Sequence, residues 1–364
     1  MINPISFIKF LKFNGIDFFS GVPDSVLKNF TNCLSSNNKK HLIAANEGNA
    51  IGLGIGYYLS TNKLACVYMQ NSGLGNAINP LISVAHKSVY SIPMILIIGW
   101  RGAPGIKDEP QHQTKGNITP DILRLLDIKF LKISKKPNFE KIKKLINFSK
   151  EKKKPVALLV KQNSFLNKKL YKLTNTNQIS REEAINTILK NLSSNTKLIS
   201  STGYISREVL KCGYSKKKFF KNVFYMVGGM GHSSSVSLGV ALKSKKKIIC
   251  LDGDGSLLMH FGSLLNIAKL NKKNLKYILL NNGSHQSVGG QETGAFDINF
   301  KLICGGLNIN NSECLFNKKN FEKKIVDFIY SKKKMFLEIK ISNKNSKNLP
   351  RPKNLIKIKN NFMN

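Results

Sequence analysis

An acidic residue and an amide follow two neighbouring apolar segments in the C-terminal half of the 364-residue chain. Asp254 lies in a Gly-Asp-Gly triplet after the apolar run 247–251, and Asn282 follows the next apolar run, 277–280. One helix-length segment separates the two runs, so we expect both side chains at the same carboxyl edge of a parallel sheet. Carboxylate and amide oxygens suit Mg²⁺ bound to a diphosphate, and the glycines let backbone approach the ligand. The sequence therefore predicts a magnesium site.

A single glutamate, Glu47, follows the predicted strand 41–45 and precedes a predicted helix rich in small residues, 49–59. A carboxyl group at this position would be largely desolvated, which raises its pKa and lets it share a proton near neutral pH. The alternative is a structural role, in which Glu47 only interacts with the dipole of the helix N-terminus. The presence of the magnesium motif favours the catalytic role.

Two glycine-rich turns follow predicted strands in the C-terminal half. In the first, 228–231, backbone N–H groups at the start of a helix could bind a phosphate, and Met230 would offer an adaptable apolar side chain. In the second, 282–291, Ser and Gly donors could form an anion-binding nest, and His285 could transfer protons. The alternatives are an ordinary tight turn and a flexible glycine loop.

A polar loop, 100–113, is predicted to begin where the apolar strand 94–99 ends. Long polar loops at the carboxyl edge of a sheet often carry substrate-binding groups. Arg101 could bind a phosphonate or a carboxylate there, and His112 lies in the same loop. A surface loop of mixed charge is the alternative.

Short strands and helices alternate twice along the chain, before and after a polar stretch rich in Lys and Asn. This alternation predicts two α/β domains, each a doubly wound parallel sheet with helices on both faces. The expected boundaries are 1–165 for the first domain, 166–179 for the linker and 180–364 for the second domain, which ends in a basic tail. The motifs fall beyond the carboxyl ends of strands, where ligands of such folds bind.

The formal charge of the chain is +38, from 58 Lys and Arg against 20 Asp and Glu. Only five of the basic residues are arginines, whereas specific nucleic-acid sites depend on arginine. The lysines spread over the whole chain between apolar elements. The charge therefore indicates a solvated surface that attracts small anions, and a basic nucleic-acid-binding protein is a remote alternative.

Several features that the sequence lacks argue against particular classes of protein. The sequence has no apolar stretch long enough to span a bilayer, and the N-terminus lacks the apolar core of a signal peptide. Six cysteines without C-x-x-C spacing favour reduced thiols over a zinc site, so we expect a cytoplasmic protein. No G-x-G-x-x-G motif follows a first strand, which disfavours a nucleotide-binding oxidoreductase.

These segments, together with 21–25, 108–112 and 349–352, resemble those of the phosphonopyruvate decarboxylases, a family of thiamine-diphosphate-dependent enzymes. The resemblance covers nearly the whole chain and implies a pyrimidine-binding domain followed by a diphosphate-binding domain. It implies decarboxylation of 3-phosphonopyruvate to phosphonoacetaldehyde and CO₂ in phosphonate biosynthesis, with thiamine diphosphate and Mg²⁺ as cofactors. Sulfopyruvate decarboxylases and other thiamine-diphosphate-dependent 2-oxo acid decarboxylases or carboligases are the alternatives.

The resemblance also implies roles for individual residues. Glu47 would bond the aminopyrimidine, Met230 would hold the cofactor in its bent form, and Asp254, Asn282 and the Ser284 carbonyl would bind the metal. The other residues implied to bind the cofactor are Gly228, Gly229, Gly231, His232, Gly253, Gly255 and Ser256. The residues implied to join Glu47 in catalysis are Asp24, His112 and His285, and those implied to contact the substrate are Asp24, Arg101, His112, Ser287 and Gly290.

One position departs from the pattern of larger relatives, which carry a glutamate six residues after the metal-binding asparagine. Here that position is Val288, so the protonation step must use another group, for which His285 and His112 are the candidates. Because the family binds its cofactor between two chains, the resemblance implies a homo-oligomer. The expected partners are a small anionic 2-oxo acid and a further copy of the chain, without a membrane or a dedicated nucleic acid.

Overall fold

The computed structural model describes residues 1–37, 40–167, 177–214, 220–344, 346 and 348–363. The chain forms two compact units, a first unit of Met1–Lys172 with His285–Gln291 and a second unit of Leu173–Ser284 with Glu292–Asn364. Most of the predicted linker, 166–179, lies outside the described residues. The predicted domain boundaries therefore stay a prediction.

The first unit contains a six-stranded parallel sheet with the order β2-β1-β3-β4-β6-β5. Its central strands are apolar and buried along nearly their whole length, as expected for a sheet covered on both faces. The strands are β1 (Phe18–Gly21), β2 (His41–Ile43), β3 (Ala65–Gln70), β4 (Met94–Trp100), β5 (Lys129–Ile133) and β6 (Val156–Lys161).

Helices cover both faces of this sheet. Apolar side chains of α1, α2 and α6 form one core layer, and those of α3, α4 and α5 form the other. The helices are α1 (Pro4–Phe13), α2 (Lys28–Asn37), α3 (Glu47–Thr61), α4 (Leu74–Pro80), α5 (Pro110–Leu125) and α6 (Phe139–Lys152).

The start of α5 corrects the predicted loop 100–113. Helix α5 already begins at Pro110, because a proline at the first helical position has its φ angle preset and its missing N–H costs nothing there. His112 consequently lies on a helix. The helix is fastened to β4 by Trp100, whose Nε1 donates a hydrogen bond to the carbonyl oxygen of Gly116 at 2.8 Å.

The second unit repeats the architecture with a six-stranded parallel sheet of order β11-β12-β10-β9-β7-β8. The predicted fold class, two doubly wound parallel sheets, is therefore confirmed. The strands are β7 (Thr196–Ser200), β8 (Val223–Tyr225), β9 (Lys247–Gly253), β10 (Leu275–Asn281), β11 (Glu313–Leu315) and β12 (Phe336–Lys340). The helices are α7 (Arg181–Lys190), α8 (Tyr204–Tyr214), α9 (Ser233–Lys243), α10 (Asp254–Met259), α11 (Ser263–Leu270), α12 (Phe300–Gly306), α13 (Phe321–Tyr330) and α14 (Leu355–Met363).

Two further observations bear on the class of protein. Across the described ranges, no helix combines the length and apolar character needed to cross a bilayer. All six cysteines are free thiols, and five of them are buried.

A buried ion pair joins the first two helices of the second unit. Arg181 donates from Nε and Nη2 to the two carboxylate oxygens of Glu208, at 2.7 and 3.0 Å. The guanidinium also lies 5.2 Å from the ring centre of Tyr204. Because Arg181 is 3% exposed and Glu208 is 0% exposed, each charge depends on the other for compensation of its lost hydration.

We expect Arg181→Met to lower the free energy of unfolding by about 3–5 kcal/mol, because it leaves the Glu208 carboxylate buried without its partner. The double variant Arg181→Met/Glu208→Leu removes both charges and should recover most of this loss. Urea unfolding followed by circular dichroism measures both values. Equal losses in the single and double variants would contradict this account of the pair.

Candidate active site

The two predicted metal ligands meet at the carboxyl edge of the second sheet. Gly253 of β9 pairs in register with Leu280 of β10, so the residues that follow the two strands emerge side by side. The backbone N–H of Asn282 donates to the carboxylate of Asp254. Thr293, which the sequence did not single out, donates from its hydroxyl to Oδ2 of Asp254 at 2.5 Å.

The turn after β10 is tightly fixed. Ser284 donates its backbone N–H to Oδ1 of Asn282 at 3.1 Å, and Gly283 donates to Oδ1 of Asn281 at 3.0 Å. Asn281 in turn donates from Nδ2 to Glu338 Oε1 at 2.7 Å. These bonds fix the side chain of Asn282 and the backbone of Ser284 within the turn that follows β10.

This donor set fits a hard cation. Among the described residues, no three His, Cys, Asp or Glu side chains cluster as a metal site, so a cation here would need amide and carbonyl oxygens as well as the Asp254 carboxylate. Mg²⁺ accepts such a set, because it completes its shell with water and phosphate oxygens. Burial raises the pKa of Asp254 to about 6, and a bound cation would favour its ionised form.

The glycine turn between β8 and α9 lies against α10, the helix that begins at Asp254. Gly231 donates its N–H to Ser256 Oγ at 3.0 Å, and a Cβ at Gly231 would lie 2.4 Å from the ring of His260. His232 stacks on His260 with ring centres 4.5 Å apart. The structure thus brings residues of the 228–232 and 253–256 segments together, as the predicted cofactor site requires.

In the first unit, the carboxylate of Glu47 occupies a space that a glycine leaves open. Glu47 is the first residue of α3 and is buried, and its Oε2 accepts a hydrogen bond from Asn76 Nδ2 at 2.7 Å. A Cβ at Gly73 would lie 2.2 Å from Oε1 of Glu47. Burial raises the pKa of Glu47, while the bond from Asn76 opposes the rise.

Asp24 lies entirely buried where β1, β3 and β4 end. Its Oδ2 accepts from the backbone N–H groups of Val26 and Leu27 at 2.9 and 3.1 Å, and its Oδ1 accepts from Gln70 Nε2 at 3.0 Å. A Cβ at Gly99 would lie 2.0 Å from Oδ2. Burial raises the pKa of Asp24 to about 6, against the opposing effect of these N–H groups.

Arg101 forms a two-point ion pair with Asp108. Arg101 donates to the two Asp108 oxygens from Nη2 and, at 2.7 Å, from Nε, and its Nη1 donates to Ser25 Oγ at 2.9 Å. Although burial opposes the change, the hydrogen bonds from Arg101 hold the pKa of Asp108 well below its usual range. A substrate anion at Arg101 would therefore share the guanidinium with Asp108, and the predicted substrate contact stays a prediction.

The remaining predicted residues lie on α5 and in a short turn. His112 is in the first turn of α5, and a Cβ at Gly102 would lie 1.9 Å from its carbonyl oxygen. His285, Ser287 and Gly290 lie in the turn 285–291, which belongs to the first unit. Burial lowers the pKa of His285 to about 4, so its imidazole is neutral at pH 7.

Backbone N–H groups of the turn 285–291 donate hydrogen bonds within the same turn. The N–H groups of Val288, Gly289 and Gly290 all bond to the carbonyl oxygen of His285, at 3.1, 3.2 and 3.0 Å. They face this carbonyl instead of forming the predicted anion-binding nest. Gln291 fastens the turn to α2, because its Nε2 donates to Thr31 Oγ1 at 2.8 Å and to Asn32 Oδ1 at 2.7 Å.

Comparison with known proteins matches both units. The description "Thiamine pyrophosphate enzyme, N-terminal TPP binding domain" fits residues 6–124, and its "C-terminal TPP binding domain" counterpart fits residues 203–339. The chain is 33% identical to the phosphonopyruvate decarboxylase of Streptomyces hygroscopicus, over 77% of this chain and 72% of that relative. The chain belongs to the thiamine-diphosphate-dependent decarboxylase family.

Two further decarboxylases are similar to this chain. The phosphonopyruvate decarboxylase of Streptomyces viridochromogenes is 34% identical over 77% of this chain and 73% of its own length. The sulfopyruvate decarboxylase of Methanosarcina acetivorans is 29% identical over 94% of this chain and 92% of its own length. The N-terminal match contains Glu47 and Asp24, and the C-terminal match contains Asp254 and Asn282.

In this thiamine-diphosphate-dependent decarboxylase, we expect Gly73→Ala to reduce decarboxylation by about 10- to 100-fold, since a methyl group would displace the Glu47 carboxylate by an ångström or more. Steady-state rates at saturating cofactor measure the loss, and circular dichroism verifies the fold. The matched control is Gly305→Ala on α12, where a Cβ would meet nothing within 4 Å, and its rate should stay near wild type. A Gly73→Ala rate equal to that of the control would contradict this placement of Glu47.

The raised pKa of Asp24 makes a prediction about stability and pH. The pKa of Asp24 is about 6 in the folded protein, against an ordinary value of 3.8. Between pH 3.8 and pH 6 the native protein therefore keeps a proton on Asp24 that the unfolded chain has lost. The free energy of unfolding consequently falls as the pH rises through this window. Asp24→Asn removes the effect, so the variant should gain about 2 kcal/mol relative to wild type between pH 4 and pH 7. Denaturant unfolding at both pH values measures the gain. A difference that does not change with pH would contradict the raised pKa.

Proposed function

We propose that the chain decarboxylates 3-phosphonopyruvate to phosphonoacetaldehyde and CO₂ in phosphonate biosynthesis, with thiamine diphosphate and Mg²⁺. The similarity to two phosphonopyruvate decarboxylases at 33–34% identity over 77% of the chain carries this proposal. A sulfopyruvate decarboxylase activity is the second candidate, because that relative aligns over 94% of the chain. Both substrates are 2-oxo acids with a second anionic group, which the strongly basic chain would attract.

The cofactor would be held by groups at the edge of the second sheet. Asp254, Asn282 and the carbonyl of Ser284 would bind Mg²⁺, which would hold the diphosphate. The N–H groups of Gly228, Gly229 and Met230 would add donors ahead of α9, whereas that of Gly231 already donates to Ser256. When bound, thiamine diphosphate supplies a carbon nucleophile and accepts the electron pair that CO₂ leaves behind.

Glu47 would move a proton at the edge of the first sheet. Its Oε2 is fixed by Asn76, and its Oε1 lies over Gly73, so the orientation of the carboxylate is set before any ligand binds. Because burial raises its pKa, the carboxyl group would exchange a proton with a ring nitrogen more readily than an exposed glutamate.

The substrate would lie near the first-unit residues Asp24, Arg101 and His112 and the turn residues Ser287 and Gly290. Asp24 is wholly buried and bonded to Gln70, so it would act on the substrate through the orientation of that amide. His285 is neutral at pH 7, and it would therefore donate a hydrogen bond or accept a proton before it could act as an acid. His112 and His285 remain the proposed proton-transfer groups.

We also propose that the active species is a homo-oligomer with the cofactor between two chains, and that it works in the cytoplasm. The oligomer follows from the family resemblance. The separate placement of Glu47 in the first unit and Asp254 in the second unit is compatible with a cofactor that contacts two chains.

Steady-state assays of aldehyde release from phosphonopyruvate, sulfopyruvate and pyruvate, with Mg²⁺ and thiamine diphosphate, test the function. We expect kcat/KM to be highest for phosphonopyruvate by about tenfold or more, which corresponds to the net contribution of roughly one hydrogen bond. A preference for sulfopyruvate would establish the second candidate instead.

Glu47→Gln should lose about 100-fold or more in rate while it keeps its circular dichroism spectrum, since a positioned proton-transfer group contributes on this order. Wild-type turnover in Glu47→Gln would refute the role of Glu47.

A further inference from the structure

The side chain of Thr293 connects the carboxylate of Asp254 to the turn that follows β10. Its hydroxyl donates to Asp254 Oδ2 at 2.5 Å, although the two residues lie 39 positions apart in the chain. The backbone N–H groups of Gly255 and Asn282 donate to the same carboxylate. Thr293 thus adds a side-chain donor to a carboxyl group that is 4% exposed, and Thr293 is not among the residues expected to bind the metal.

The backbone around Thr293 is fixed by that turn. The N–H of Thr293 donates to the carbonyl oxygen of Gly283 at 3.0 Å. Two residues further along, the carbonyl oxygen of Ala295 accepts from Asn281 Nδ2 at 3.1 Å. The segment 293–295 therefore lies against the turn 281–284, which contains the other proposed metal-binding residues.

The direction of the hydroxyl proton follows from the contacts of the hydroxyl oxygen. The N–H of Ala295 donates to Oγ1 of Thr293 at 3.3 Å, so one lone pair of this oxygen is already engaged. An ionised carboxylate only accepts hydrogen bonds, so the hydroxyl proton of Thr293 points to Oδ2 of Asp254. Because threonine is branched at Cβ, its χ1 angle has few favourable values, which restrains the hydroxyl in this direction.

The orientation of the Asp254 carboxylate matters for the proposed cation. Mg²⁺ demands near-ideal octahedral geometry, so a carboxylate that binds it has to be closely oriented. Hydrogen bonds from residues outside the ligand set commonly fix such carboxylates, and their loss typically costs about 10- to 100-fold in metal affinity. A purely structural role is the alternative, in which the Thr293 hydroxyl only compensates Asp254 for its lost hydration.

We propose that Thr293 is a positioning residue that holds the Asp254 carboxylate in the orientation Mg²⁺ requires. The inference rests on the proposed use of Mg²⁺ with thiamine diphosphate, and it adds a residue outside the metal-binding set. Thr293 acts through Asp254 in this account. Its loss should therefore weaken the uptake of Mg²⁺ and leave the chemical step intact once the site is filled.

Thr293→Val tests the proposal, because it removes the hydroxyl and keeps the shape of the side chain. We expect the dissociation constant of Mg²⁺, measured by calorimetry at saturating thiamine diphosphate, to rise by about 10- to 100-fold. Thr293→Ala, which also lacks the hydroxyl, should show the same loss, whereas Thr293→Ser should restore most of the affinity. At saturating Mg²⁺, kcat of the valine variant should return to near wild type. An unchanged dissociation constant in the valine and alanine variants would overturn the proposal.

Ca²⁺ distinguishes positioning from a purely structural role. This ion accepts variable coordination geometry, whereas Mg²⁺ does not. If Thr293 orients the carboxylate, Thr293→Val should weaken Ca²⁺ binding by a smaller factor than Mg²⁺ binding. Equal losses for the two ions, or a kcat that stays low at saturating Mg²⁺, would indicate a general disruption of the site and would overturn the proposal.

Thr187 on α7 provides the matched control. Thr187 is also partly exposed, and its hydroxyl donates within its own helix to the carbonyl oxygen of Glu183 at 2.9 Å. Thr187→Val makes the same chemical change there, so the dissociation constant of Mg²⁺ should keep its wild-type value. Circular dichroism and urea unfolding verify that both valine variants are folded. An equal loss of Mg²⁺ affinity in Thr187→Val and Thr293→Val would refute a specific role of Thr293.

The outcomes separate this inference from the proposed function. A wild type that takes up Mg²⁺ with thiamine diphosphate and releases aldehyde, while Thr293→Val binds Mg²⁺ equally well, would refute the role of Thr293 alone. The proposed function would then stand. A wild type that takes up neither Mg²⁺ nor thiamine diphosphate would refute the proposed function and, with it, this inference.

Discussion

The hydrogen bond from the backbone of Asn282 to the carboxylate of Asp254 is the contact on which the candidate site depends. It exists because β9 and β10 are parallel neighbours, with Gly253 and Leu280 in register, so the chain leaves both strands at one edge. The strands themselves are held by burial on both sides. A carboxylate buried at such an edge is costly to ionise, and this cost is what a bound cation would offset.

Buried carboxylates recur at the corresponding edge of the first sheet, and each lies beside a glycine. Glu47 lies over Gly73, and Asp24 lies over Gly99. In both cases an amide side chain orients the carboxylate, Asn76 for Glu47 and Gln70 for Asp24. The absence of a Cβ thus gives each carboxylate room, while the amide holds one of its oxygens in place.

Local patterns in the sequence were enough to locate the carboxylates but not their partners. The apolar runs before Asp254 and Asn282 define buried parallel strands, so the edge where they meet could be predicted from spacing alone. Asn76, Gln70 and Thr293 could not be found in this way, because their contacts join residues 29, 46 and 39 positions apart.

Arg101 and the turn 285–291 show a second limit of prediction from the sequence. A basic residue at a sheet edge suggests an anion site, but whether its charge is available depends on Asp108, whose position follows from the course of the loop. Amides in a glycine-rich turn likewise suggest a nest, but in this turn they bond to the carbonyl oxygen of His285. Sequence identifies such donors, and the backbone path decides what they bind.

Trp100, which fastens β4 to α5, is the single tryptophan of the chain. Its indole is buried next to Arg101, so the intrinsic fluorescence of the protein reports on one junction of the first unit. Changes in emission on excitation of tryptophan will follow events at that junction without an added label. Tryptophan emission therefore follows unfolding of the first unit at this junction, while circular dichroism reports on the helices of both units.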